Sequence, residues 1–114
     1  MDILERGIMR VKINQYMFDI VEEFNGEHVY YKEKEDGLYR IGLMNPIEQR
    51  IYLYSGLSYE LKRNTLAHEL THAFLFAHGL DGKELDEEMI CDFVSLYHER
   101  ITEIINCYFL KGGD

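Results

Sequence analysis

His68-Glu69-Leu70-Thr71-His72, inside the run NTLAHELTHAFLF from Asn64 to Phe76, decides how the rest of the chain is read. On a helix, successive residues turn by about 100°, so His68 and His72 stand one turn apart on one face. Two imidazoles at that spacing can close on one zinc ion, and Glu69 between them can hold a metal-bound water. The pattern therefore predicts a zinc hydrolase, in the first instance a peptidase. The plainer alternative is a pair of ordinary surface or core histidines on an amphipathic helix, since five-letter patterns recur by chance.

A catalytic zinc takes three protein ligands and a water, so the zinc reading needs one more histidine or acid downstream. His78 follows His68 by ten residues, the spacing of the longer three-histidine pattern. That pattern needs a glycine to leave the helix, and Leu75 stands there instead. If the helix continues, His78 is carried about 9 Å along the axis from His72 and roughly 240° around it. A role at the helix C-terminus suits it better. Glu88 is the stronger candidate, with Glu84 and Glu87 as alternatives. Glu88 and Asp92 lie one turn apart on a second helix; packed beside the first, Glu88 could reach the zinc and Asp92 could orient a ligand histidine. Their plain role is an acidic helix start that suits the dipole.

Working outward, the residues before the motif read as short strands. Val11 and Ile13 alternate with Arg10 and Lys12, Asn14-Gln15 is a turn, and Tyr16, Phe18 and Ile20 resume the alternation, giving a hairpin or one bent strand over Arg10–Glu22. Asn25-Gly26 and Glu35-Asp36-Gly37 are turn signals around a strand in His28–Lys34. Leu38–Met44 reads as one strand with Tyr39, Ile41 and Leu43 buried, Asn45-Pro46 breaks it, and Gln49–Tyr54 is a further strand. Ser58 caps a helix over Tyr59–His78, closed by Gly79. A second helix spans about Leu85–Leu110, opened by Asp81 or Asp86. The expected fold is α+β: a three- to four-stranded, mostly antiparallel sheet packed on the motif helix and on a second long helix that bears the third ligand.

The 114 residues suffice for a single domain over 1–114. The net charge of −9 disfavours direct nucleic-acid binding, which wants a basic footprint. Cys91 and Cys107 lie several turns apart on one helix, so they cannot join in a disulfide, the usage of a cytoplasmic protein. Met1–Gly7 lacks a basic region followed by an apolar run, so no signal peptide is expected, and no stretch is apolar enough to span a membrane.

The stretch from Thr65 to Phe74 resembles the extended zincin signature, with uncharged residues before and between the histidines and apolar ones after. Glu88-x-x-x-Asp92 is similar to the third-ligand helix of the gluzincin branch. Gly42–Ser58 resembles the strand and helix start of small bacterial and phage metallopeptidase-like proteins of the ImmA/IrrE group. The likeness runs over about residues 38–96. Departures are the Cys91-Asp92 pair where many relatives have Ala-Asn, Val94–His98 in place of a Leu-Leu-Met-Pro ending, and no evident helix-turn-helix or sensor domain.

The resemblance implies a minimal zincin with Zn2+ held by His68, His72 and Glu88, Glu69 as general base, and Asp92 orienting a histidine. It implies a zinc-dependent endopeptidase acting on a protein or peptide substrate such as a transcriptional repressor. The alternative is a zinc-binding antirepressor that works by interaction alone. In the enzyme, zinc would activate water and Glu69 would take its proton. A second electrophile would be sought among Tyr97, His98, His28 and the tyrosines of 52–59. An edge strand, 38–44 or 49–54, would bind extended peptide.

Overall fold

The computed structural model describes residues 2–5 and 8–112. Alternating apolar residues build a meander of β1 (Asp2–Glu5), β2 (Ile8–Ile13) and β3 (Tyr16–Glu23). Val11, Ile13, Phe18 and Ile20 share one face and are fully buried there. The tight turn between β2 and β3 places Asn14 at φ 55°, a conformation asparagine tolerates. Its amide donates to the Ala77 carbonyl at 2.9 Å, which fastens the hairpin to the end of the helix above it.

The chain then makes a separate antiparallel pair, β4 (Tyr30–Lys32) and β5 (Leu38–Arg40), before returning to the main sheet as β6 (Gly42–Asn45) and β7 (Arg50–Tyr54). The stretch 38–44, expected as one strand, is thus two strands in two sheets. Asp36 and Gly37, both at positive φ, fold β5 back onto β4. Tyr39, expected inside, is 61% exposed, and Ile41 and Leu43 are only half-buried. The main sheet has five strands in the order β1-β2-β3-β7-β6, with β3 and β7 parallel and the other pairs antiparallel.

Helix α1 (Tyr59–Ala77) lies across one face of this sheet, where Leu66, Leu70, Ala73 and Phe74 meet Ile20, Ile51 and Leu53. Ser58 caps its start, its Oγ accepting from the Leu61 N–H. Its end is a Schellman turn: Leu80 N–H donates to Leu75 O and Gly79 N–H to Phe76 O, with Gly79 at φ 73°. On the other sheet face Val29, Tyr52 and Tyr54 form a smaller core with Ile41, Leu43 and Leu57. Strand β7 is therefore covered on both faces, which is why Ile51 to Tyr54 are all buried.

Helix α2 (Glu87–Cys107) starts later than expected, because the Asp86 carboxylate caps it by accepting from Met89 N–H. It packs on α1 through Phe93 and ends in a π-helical turn over Tyr108–Gly112. Over its first half Ile90, Val94 and Leu96 remain exposed. The α+β layering stands. The minimal zincin is corrected on two points: the sheet is five-stranded and mixed, and among the described residues no group of three or more His, Cys, Asp or Glu could hold a metal.

Candidate functional site

Helix α1 places His68, Glu69 and His72 where the helix runs beside the edge strand β6. His68 and His72 are exposed, one turn apart, with their Nε2 atoms 3.2 Å from each other. At that distance the two rings are within hydrogen-bond reach, which of them donates depending on the tautomer. Glu69 turns the other way, toward the sheet edge, and is only 8% exposed. Burial raises its carboxyl above the usual range; the neighbouring His68 and His72 and a hydrogen bond from the Met44 N–H pull it back in part.

The approach of β6 to α1 is close because residue 42 is glycine. A Cβ there would stand 2.6 Å from Thr65 Cγ2 and 2.9 Å from Glu69 Oε2. Any side chain at 42 would push the strand off the helix and displace the carboxylate. Between strand and helix lies a cleft of about 380 Å³ lined by Arg40, Ile41, Gly42, Asn64, Thr65, His68 and Glu69. Arg40, Asn64 and Thr65 were not foreseen as site residues. The available signal was Gly42, a glycine inside a strand pattern, which marks close approach of another group.

The strand itself offers hydrogen bonds. Tyr54 N–H donates to Ile41 O, so Ile41, Leu43 and Asn45 turn their backbone groups toward β7. Gly42 and Met44 face the opposite way, and among the described residues β6 is an outer strand of the sheet. The Met44 N–H faces the Glu69 carboxylate, and the Gly42 N–H and C=O and the Met44 C=O are likewise directed away from β7, with Gly42 lining the cleft.

The expected third ligand does not join this group. Burying Phe93 against α1 sets the rotation of α2, and Glu88 and Asp92 lie about 140° and 100° around the helix from it. Both are exposed on the first turns of α2. His78 is occupied elsewhere: it caps α1, stacks on Tyr97 at 4.3 Å between ring centres, and shares a hydrogen bond with the Tyr97 hydroxyl. His28, another candidate, stacks on Tyr52 and bonds Glu23 on the far sheet face.

No family model matches the sequence, no curated protein matches it, and no solved structure matches it. The likeness to the ImmA/IrrE group and to gluzincins is therefore not upheld. With no three-residue metal group among the described residues, the zinc cofactor, the zinc endopeptidase and the zinc-binding antirepressor fall together. No helix among the described residues is long and apolar enough to cross a membrane.

Proposed function

We propose that this chain is a peptide-binding module that takes an extended segment of a partner protein as an added strand on β6. The observation that carries the reading is the outward orientation of the Gly42 and Met44 backbone groups on an outer strand whose Gly42 lines the cleft beside α1. Main-chain hydrogen bonds to the strand would supply affinity, and the residues flanking it would supply selectivity. Arg40, Asn64 and the paired imidazoles of His68 and His72 supply donors and acceptors on the helix side. Glu69 acts as a positioning residue: by taking the Met44 N–H it fixes strand to helix and blunts one of the outward groups against indiscriminate pairing.

The strongly acidic chain speaks against a nucleic acid as the partner. Cysteines that are not in a disulfide suit a reducing compartment, so we place the protein in the cytoplasm.

Peptides selected by display against the immobilised protein test this reading. For a selected peptide, N-methylation at residues facing β6 should abolish binding, while N-methylation at the alternate residues should leave it intact. Amide resonances of Gly42 to Asn45 should shift on titration. Selection of nothing, or binding indifferent to N-methylation, would sink the proposal.

A further inference from the structure

Beside the polar cleft lies a second hollow of about 480 Å³, walled by Tyr31, Tyr39, Ile41, Tyr54, Leu57 and Leu61. Ile41 belongs to both hollows, so it is the ridge between them. Along α1 the two are joined by Leu61, Thr65 and His68, which fall on successive turns of one side. The walls carry no charged side chain, in a chain with net charge −9. Tyr31, Tyr39 and Leu61 are each more than two-fifths exposed, yet they gather around one concavity. Large apolar side chains scattered singly over a surface need no explanation, but a cluster rimming a hollow is the pattern of a binding site.

We infer that this hollow is the side-chain pocket of the strand-binding site and that it receives one large uncharged side chain, phenylalanine or leucine, of the bound peptide. The inference rests on the reading of β6 as the strand-accepting edge. A peptide laid antiparallel to β6 runs from the Asn45 end toward Gly42. Beyond Gly42 the next wall it meets is Ile41, and past Ile41 the aromatic hollow opens. Because side chains alternate along a strand and the register is set by Gly42 and Met44, only one peptide position can feed the hollow. The three tyrosines give flat apolar walls with polar hydroxyl tips, which suits a ring or a branched aliphatic group and penalises a buried charge.

The test uses the whole chain and a set of capped threonine–valine hexapeptides ending in lysine, each with a single phenylalanine moved one position at a time. Binding is read by fluorescence anisotropy and by amide shifts of β6. One position of phenylalanine should tighten binding roughly ten- to a hundredfold over the unsubstituted host, the range expected for burying one such side chain. Leu61→Glu, at an exposed helix position, should cut that gain to within about twofold. It should leave the N-methylation pattern of the host peptide unchanged, and Tyr39→Ala should act in the same direction. A host peptide that adds to β6 but gains nothing from phenylalanine at any position would overturn the pocket and leave the strand reading standing. Failure of every peptide to bind would overturn both. A dimer of the free protein that Leu61→Glu dissociates would assign the hollow to a second copy and also overturn the pocket.

Discussion

Two carboxylates lie against helix α1, and their surroundings are opposites. Glu22 on β3 is closed in on every side that chemistry requires. Lys62 of α1 bonds one of its oxygens at 2.8 Å and also reaches the Ser55 carbonyl, while the hydroxyl of fully buried Tyr108 bonds the other. Three elements and a loop are pinned at that point, with each carboxylate oxygen engaged by the protein. Glu69, two turns beyond Lys62 along α1, is also buried, but its neighbours are the imidazoles of His68 and His72 and the Met44 amide, and it opens into a cleft. The first arrangement stores stability. The second gives some up, because a buried carboxylate without a firm cation is costly, and in return leaves polar groups facing an accessible space.

Breaking the closed arrangement should have the largest effect. Lys62→Met keeps most of the side-chain volume but strands Glu22 beside Tyr108. Both partners are less than one-fifth exposed, so a loss of about 2–4 kcal/mol is expected. Urea unfolding checks it: the midpoint should fall with the slope unchanged. A midpoint that does not move would mean that the pair is solvated in solution and that the contrast with Glu69 is not one of burial.

Removing only the Tyr108 hydroxyl sharpens the same point. Tyr108→Phe leaves the ring packed and deletes one hydrogen bond to a charged acceptor, for a loss of about 1–3 kcal/mol. Its pH signature is distinctive. Burial, then the bond and charge of Glu22, push the Tyr108 phenol far above its ordinary value near 10.0. Above that pH the unfolded chain gives up the proton and the folded chain keeps it, so stability falls as pH rises through the tyrosine range. Tyr108→Phe should lose that part of the alkaline decline, and the two unfolding curves should converge at high pH. Parallel curves would count against a buried Tyr108–Glu22 bond.

The closed and open regions differ in how far the sequence revealed them. Helix α1 was legible because its ends carry explicit chemistry in Ser58 and Gly79, whereas the start of α2 stayed open between Asp81 and Asp86 until the structure placed it at Asp86. The β2–β3 hairpin was legible from strict alternation. The split of 38–44 was not, since a continuous alternating pattern says nothing about which sheet each half joins. Glu22, Lys62 and Tyr108 are separated by up to 86 positions, and no local spacing announces such a contact. At the site, the shared face of His68 and His72 followed directly from helical periodicity. The fate of Glu88 did not, because it depends on the rotation of α2, and Phe93 sets that rotation.

The smallest effect is expected from the open carboxylate, and its sign is the most informative. Burial raises the Glu69 carboxyl, so between its unfolded value near 4.5 and its folded value the folded state holds a proton that the unfolded state has lost. Stability therefore falls as pH climbs through that window and levels off above it. Glu69→Gln removes the charge and keeps an oxygen able to accept from the Met44 N–H. At pH 7 the variant should be more stable than wild type, by about 1 kcal/mol or less. The gain should shrink to nothing as pH drops below the unfolded carboxylate value, as followed by thermal unfolding from pH 3 to 8. A substitution at Glu22 should instead destabilise at neutral pH, because its carboxylate bonds both Lys62 and Tyr108. If Glu69→Gln instead destabilises at neutral pH, the carboxylate belongs to a closed network like that of Glu22, and the cleft beside it is not poised to receive a partner.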